Sequence, residues 1–223
     1  MQLEVLFESE YFDWITTKAL AQLRDSGRIG TSLEDLPDVG KIRFYFHRGN
    51  RYWKRKAGEI GKLVRTFSQP NFKSALGNQG ELLVDAGLPR VGFVEQARNV
   101  NQFNGLQWTE TAHDRDRIFQ KDGINYGVEI KNRLSYISQE EFQVKIRICA
   151  TLGIRPVFIV RMMPKSYTFE LFTKGGFALI MKHQFYPLGQ EAFALQVRTR
   201  LRLPCRLPAA PHRWNSEPSP PIP

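Results

Sequence analysis

The feature that most constrains the fold is the dipeptide Asp122-Gly123, which stands between two stretches of alternating polar and apolar residues, 114–121 and 124–131. Asp-Gly is a strong signal for a two-residue β-hairpin turn, because both positions of that turn need positive φ angles. Alternation with a period of two is typical of β-strands with one face on the core. The sequence therefore predicts a hairpin with a fixed register.

That register places Asp116 opposite Glu129, and Lys131 lies on the same face of its strand as Glu129. Directly opposed residues have Cβ atoms about 4.5–5.5 Å apart, so the two carboxylates repel each other in a bare hairpin. A hard divalent cation reverses this penalty, because Mg²⁺ is held by one or two carboxylates together with water and phosphate oxygens. The alternative is a solvated strand face without chemistry, since Glu-x-Lys by itself is a common pattern.

An Asp followed by a hairpin and by Glu-x-Lys at the end of an apolar strand resembles the PD-(D/E)XK phosphodiesterases, the restriction-endonuclease-like nucleases. The resemblance implies that Asp116 and Glu129 hold Mg²⁺, with Mn²⁺ as a substitute, and that Lys131 orients or activates the attacking water. Arg115 precedes Asp116 where the family has proline. Asp114 is the alternative metal ligand if the turn contains a bulge.

The resemblance adds one further residue, Glu81, which lies in the sequence Gly-Glu-Leu-Leu on a predicted helix at 74–86. In the family a glutamate at this point supplies an additional metal or water contact. An exposed helix glutamate is the alternative interpretation.

The rest of the core is predicted from local patterns. A capping box at 138–141 begins a helix that runs to about residue 152. Strands are expected at 92–97, 157–161 and 167–172. A strand, a capped helix and a buried strand form a crossover unit. The expected fold class is α/β (α+β), with a restriction-endonuclease-like core in which helices flank a central mixed sheet.

The charge of the chain points to a polyanionic partner. It has 32 Lys and Arg against 22 Asp and Glu, which gives a net charge of +10. The basic residues concentrate in 41–65, where nine cations, one acid and several aromatic residues are interleaved. This composition is typical of a nucleic-acid surface, although a charge run can also be a solvated face. We therefore expect DNA as the partner.

Residues 13–56 resemble part of a winged-helix domain, with a helix at 13–26, a loop at 32–40 and an alternating strand at 41–47. A generic α+β module is the alternative. The order of a winged-helix-like part before a nuclease core is similar to that of Mrr-type restriction endonucleases. The candidate DNA-binding residues, from the predicted recognition helix, the wing, the basic run and the later helix, are Lys18, Arg43, Arg48, Arg51, Lys54, Arg55 and Lys145.

These patterns predict a winged-helix-like DNA-binding domain at 1–68, a nuclease domain at 69–203 and a disordered Pro-rich tail at 204–223. Two cysteines without a disulfide framework suggest a reducing, cytoplasmic location. The chain has no stretch of about 18 consecutive apolar residues, so we expect no membrane span.

The expected function is Mg²⁺-dependent endonucleolytic cleavage of DNA, in restriction, defence or repair, by a homodimer if both strands are cut. The alternatives are a Holliday-junction-type resolvase, an RNA-directed nuclease of the same superfamily, and a non-catalytic DNA-binding regulator with a relic nuclease core.

Overall fold

The computed structural model describes residues 2–8 and 10–207 of the chain. The N-terminal elements are α1 (Gln2–Leu6), α2 (Asp13–Asp25), β1 (Ile29–Leu36), β2 (Gly40–His47) and α3 (Trp53–Ser68). The elements that follow are α4 (Pro70–Gly87), a 3-10 helix (Pro89–Val91), β3 (Val94–Val100), β4 (Gln102–Phe103), β5 (Leu106–Gln107), β6 (Arg115–Lys121), β7 (Ile124–Lys131), α5 (Gln139–Thr151), β8 (Arg155–Val160), α6 (Lys165–Thr173), β9 (Phe177–Ile180), β10 (Gln184–Phe185), α7 (Glu191–Arg200) and β11 (Cys205–Arg206).

A five-stranded sheet forms the centre of the fold, with its strands in the order β3-β6-β7-β8-β9. Strands β3, β6 and β7 are antiparallel neighbours, whereas β8 and β9 continue the sheet parallel to β7. Each parallel step needs a crossover connection, and α5 and α6 provide them. The sheet is therefore mixed, and the α/β class predicted from the sequence is confirmed.

The β6–β7 hairpin turns at Asp122 and Gly123, whose φ angles are 50° and 75°. Both residues thus occupy the left-handed region that a tight two-residue hairpin turn requires. The predicted register is confirmed from the turn as far as Arg117, which lies opposite Val128. Because the pairing is continuous over this stretch, it lacks the bulge on which the alternative ligand Asp114 depended.

Helix α4 covers one face of the sheet. Val84 of this helix packs with Phe119 and Val128 of the hairpin. The helix can approach β7 closely because residue 80 is glycine, and a Cβ at Gly80 would lie 2.7 Å from the Cβ of Asn132. The close contact sets the position of α4 relative to the end of β7, where the candidate site lies.

Helix α5 covers the opposite face, where Ile118 of β6 packs with Ile148 and Cys149. The helix begins as predicted, because the Ser138 hydroxyl accepts a hydrogen bond from the backbone N–H of Glu141 at 3.2 Å. This cap fixes the first turn of α5 beside the end of β7.

The N-terminal elements share a hydrophobic cluster with the rest of the chain. Val5 of α1 and Leu63 of α3 pack with side chains of α4, α7 and the segment after α7. Only Gln69 separates α3 from α4. The boundary predicted at 68–69 therefore falls between two consecutive helices, and the cluster spans it.

Two predicted elements are wrong. The segment 167–172 is not a strand but part of α6, because Leu171 is fully buried and Tyr167, one helical turn earlier, stacks on Phe142 at 4.5 Å. The loop expected at 32–40 is largely strand, because β1 pairs with β2 as far as Leu36 and the turn needs only residues 37–39.

The expected tail also differs at its start. Residues 205–206 form β11, which pairs in parallel with β10, and Cys205 is buried. The disorder predicted for the rest of the tail falls on residues 208–223, which lie outside the described residues. Within the described ranges, every helix is too short or too polar to cross a lipid bilayer.

Candidate active site

The candidate site lies where β6 begins and β7 ends, beneath the first two turns of α5. Asp116 comes from β6, and Glu129 and Lys131 come from β7. Helix α5 contributes Glu141 and Lys145, whose side chains reach the β7 residues. The structure therefore brings the three residues of the predicted motif to one place and adds two that the motif does not contain.

Asp116 ends the regular pairing of the hairpin. The backbone pairs stop at Arg117, and the Oδ2 atom of Asp116 accepts a hydrogen bond from the backbone N–H of Ile130 at 2.7 Å. Burial, and then the nearby carboxylate of Glu129, raise the pKa of Asp116 above its usual range. Asp116 is therefore held against the end of β7 in a position that favours its neutral form.

Glu129 is fully buried and is surrounded by three cations. Its carboxylate oxygens lie 2.8 Å from Nζ of Lys131, 2.8 Å from Nζ of Lys145 and 3.4 Å from Nη1 of Arg115. These contacts are ion pairs rather than well-directed hydrogen bonds. Burial would raise the pKa of Glu129, but Arg115, Lys131 and Lys145 hold that pKa below its usual range.

Lys131 lies at the mouth of the site. Its ammonium contacts Glu129 on the buried side and Glu141 at 3.0 Å on the solvent side. Burial would lower the pKa of Lys131, but the carboxylates of Glu129, Asp116 and Glu141 raise it to about 12. Lys131 is therefore protonated at neutral pH, which favours an electrostatic role over proton abstraction.

Lys145, which the sequence suggested as a DNA-binding residue, is not on the surface of its helix, since it is only 4% exposed. Besides Glu129, its ammonium donates a hydrogen bond to the backbone carbonyl of Asp114 at 2.6 Å. In this position it does not reach solvent, in contrast to the other candidate DNA-binding cations. A signal for its burial was present, because residue 145 belongs to the apolar stripe of α5 with Phe142, Ile146 and Cys149.

Arg115 is a further member of the cluster that sequence reasoning did not identify. Its side chain is fully buried, and Nη2 donates a hydrogen bond to the backbone carbonyl of Gly127 at 2.5 Å. Residue 127 must be small, because a Cβ there would lie 2.8 Å from the sulfur of Cys149 and 3.2 Å from Nε of Arg115. The absence of a side chain at Gly127 therefore leaves space for the Arg115 side chain to reach Glu129.

Glu81 is not brought together with the other two carboxylates. It lies on α4, and its Oε2 atom pairs with Nη2 of Arg117 at 2.8 Å. Arg117 also pairs with Asp85 at 3.0 Å and donates a hydrogen bond to the backbone carbonyl of Asp116. Glu81 is therefore linked to the site only through Arg117. Across residues 2–8 and 10–207, no group of three or more His, Cys, Asp or Glu side chains is placed to hold a metal ion.

The N-terminal candidates for DNA binding all lie at the surface. Those of α2, of β2, of the loop between β2 and α3, and of the start of α3 are exposed: Lys18, Arg43, Arg48, Arg51, Lys54 and Arg55. Their exposure leaves them free to contact phosphate, so their role in DNA binding stays a prediction.

No family model, curated protein or solved structure matches this chain. The resemblance to PD-(D/E)XK nucleases therefore stays a prediction from the sequence motif.

The residue types at the site fit a magnesium ion. Asp116 and Glu129 form a pair of carboxylates, which is within the one or two that Mg²⁺ takes from protein. Both oxygens of Glu129 are buried, and neither makes a well-directed hydrogen bond. Two ammonium groups now lie 2.8 Å from those oxygens, and metal binding would require at least one of them to move.

The end of β7 is held in place by Asn132, which immediately follows Lys131. Its amide donates hydrogen bonds to the backbone carbonyls of Leu76 at 2.8 Å and Phe185 at 2.6 Å. Its side-chain oxygen accepts a third from the backbone N–H of Phe185 at 2.8 Å. These bonds connect β7 to α4 and β10, and they orient the strand that carries Glu129 and Lys131.

Proposed function

We propose that this protein is a Mg²⁺-dependent endonuclease that hydrolyses phosphodiester bonds in DNA. The observation that supports this proposal best is the convergence of Asp116, Glu129 and Lys131 at the end of the hairpin. The alternative of a solvated strand face does not explain a fully buried glutamate with three cations around it. Burying such charges is costly unless they have a functional role or are fully paired.

The proposed chemistry assigns a separate role to each residue. Asp116 and Glu129 would hold the ion, which would supply a Lewis acid for a phosphoryl oxygen and for a bound water. Lys131, protonated and partly exposed, would position that water or stabilise the negative charge that develops on the phosphate. Lys145 and Arg115 would keep Glu129 ionised and fix its orientation. None of these roles requires a covalent intermediate.

A second function is favoured by one specific observation. The oxygens of Glu129 already have cationic neighbours, and a protein that had lost its metal could keep its fold with this arrangement. The chain would then be a DNA-binding regulator with a relic nuclease core, and the exposed cations of the N-terminal part would carry its function.

Incubation of the purified protein with supercoiled plasmid, with Mg²⁺, with Mn²⁺ or with EDTA, tests the proposal. We expect nicked or linear DNA only with the divalent ions, and no product with Asp116→Ala. Glu110→Ala is a matched control, because Glu110 is also an acid but its side chain is exposed and pairs with the exposed side chain of Arg147.

If plasmid is not cut, branched DNA and RNA substrates distinguish the resolvase and the RNA-directed nuclease from the regulator. Binding without cleavage of any of these substrates would favour the regulator. The homodimer stays a prediction, and light scattering coupled to size-exclusion chromatography would measure the mass of the particle.

A further inference from the structure

A cleft between the β1–β2 hairpin and α3 is separate from the candidate active site. It has a volume of about 560 Å³ and is open to solvent. Its apolar wall consists of Leu36, Phe44 and Trp53. The indole of Trp53 is fixed, because it stacks on Phe46 with ring centroids 4.0 Å apart and planes 1° from parallel. The volume is within the range of about 300–1,000 Å³ that small-ligand sites occupy.

Two glycines of α3, Gly58 and Gly61, line this cleft. A glycine inside a helix costs about 1 kcal/mol relative to alanine, so two of them within one turn need a reason. A Cβ at Gly61 would make only ordinary contact with Leu36, at 3.5 Å, and a Cβ at Gly58 would meet nothing within 4 Å. Neither residue has a positive φ angle. The fold does not need these glycines, but a larger side chain at either position would narrow the cleft.

The rim of the cleft is basic. It carries Lys54, Lys62 and Arg65, which are exposed and form no ion pair within the described part of the chain. The one acidic residue at the cleft is Glu34, which is partly buried and accepts a hydrogen bond from the Ser32 hydroxyl at 2.5 Å. An aromatic wall with cations around it has the chemistry of a site for a base and its phosphates.

We propose that this cleft binds one unstacked nucleotide of a nucleic-acid strand, with the base against the apolar wall and the phosphates at the basic rim. A base inside a duplex is stacked on both sides, so the ligand is a single-stranded or extruded nucleotide. Glu34 is an acceptor for an exocyclic amino group, which adenine, cytosine and guanine have and thymine lacks. The cleft should therefore prefer an amino-bearing base to thymine.

This inference rests on the proposed function in that both make nucleic acid the ligand. Binding in EDTA is measured without any cleavage, so the two proposals can fail independently. The probe is a fluorescein-labelled oligodeoxycytidine of twelve nucleotides, compared with oligothymidine and with a duplex of the same length, by fluorescence anisotropy at constant salt.

Gly58→Leu fills the cleft and also improves the helix propensity of α3, so the variant should fold. We expect its affinity for oligodeoxycytidine to fall about tenfold or more, the scale of losing one base–aromatic contact, while duplex affinity changes little. Gly77→Leu is the matched control, because Gly77 is a solvent-facing glycine of α4 whose Cβ would also meet nothing within 4 Å. Glu34→Gln should reduce the preference for deoxycytidine over thymidine.

Equal affinities for Gly58→Leu and Gly77→Leu would overturn the proposal, as would an absence of single-strand binding by the parent protein. The double replacement Lys62→Ala with Arg65→Ala provides an independent check if Gly58→Leu alters the fold. It should weaken single-strand binding, and unchanged affinity would also contradict the proposal. Plasmid cleavage in Mg²⁺ decides the nuclease proposal separately.

Discussion

Replacing Glu129 by glutamine should destabilise the protein far more than replacing one of its cations. In the folded protein the carboxylate of Glu129 faces three cations, Arg115, Lys131 and Lys145. Glu129→Gln removes the negative charge that these cations share. It leaves Arg115, which is fully buried, without its anion, and it leaves the buried Lys145 with only the 3.9 Å ion pair to the exposed carboxylate of Asp114.

The magnitude follows from the burial of these groups. Removing one partner of a buried ion pair costs about 3–5 kcal/mol, because the remaining charge stays desolvated. Lys145→Met should cost less, since Glu129 keeps Lys131 and Arg115 as its partners. In the double variant the two losses should not add, and the coupling energy should be about 1–3 kcal/mol, as for other residues in one charge network.

Urea denaturation followed by tryptophan fluorescence measures these free energies of unfolding. Glu110→Gln is the matched control, because Glu110 pairs with Arg147 of α5 at 3.2 Å but both side chains are exposed, and such pairs contribute about 0–1 kcal/mol. If Glu129→Gln loses no more stability than Glu110→Gln, the buried charges are compensated by other means and the reasoning is refuted.

The pH dependence gives the same prediction a second test. The pKa of Glu129 is lower in the folded protein than in the unfolded chain, where it is about 4.3. The stability that Glu129 contributes is therefore fully present above that pH and is lost as the pH falls through the lower folded value. The difference between the parent and Glu129→Gln should shrink in acid, and a difference that stays constant would contradict the assignment.

Three further predictions concern the site and the N-terminal part. Asp116→Asn should abolish cleavage but raise the free energy of unfolding at neutral pH, because a carboxyl group with a raised pKa destabilises the fold above that pKa. The amide oxygen of the asparagine can still accept the hydrogen bond from the backbone N–H of Ile130. A loss of more than about 1 kcal/mol in urea denaturation would contradict this prediction. Lys131→Ala should lower the single-turnover cleavage rate about 10²-fold with DNA binding nearly intact; a parent-like rate would make Lys131 a surface lysine. Four exposed basic residues can be replaced by alanine: Arg48, Arg51, Lys54 and Arg55. The slope of log affinity for DNA against log salt concentration should flatten by up to about one unit per lost phosphate contact. An unchanged slope would show that DNA binds elsewhere on the protein.

The sequence predicted the hairpin and its register because those features are set locally. Asp122 and Gly123 determine the turn, and the turn determines which residues face each other for the length of the ladder. The cap at Ser138 was predictable for the same reason, since its hydrogen bond spans only three residues. Such features need no knowledge of the rest of the fold.

The surroundings of Glu129 were harder to predict because they depend on how distant elements pack. Lys145 reaches Glu129 only because α5 lies across the face of β7 on which the glutamate points. Arg115 reaches it only because Gly127 leaves space on that face. The error at 167–172 has a related origin, since the aromatic residues there favour a strand by propensity, whereas their contact with Phe142 requires helical spacing.

The two carboxylates at the end of the hairpin have opposite pKa shifts, although they are neighbours. Three cations keep Glu129 ionised, whereas burial and the charge of Glu129 favour the neutral form of Asp116. Neighbouring acids whose environments move their pKa values apart are a common basis for separate roles in catalysis. Here Glu129 is the permanent anion of the site, and Asp116 is the group whose charge has no protein cation paired with it in the described contacts. An added cation should therefore bind with a gain in stability that depends on Asp116, and the raised pKa of that residue makes the gain decrease as the pH falls.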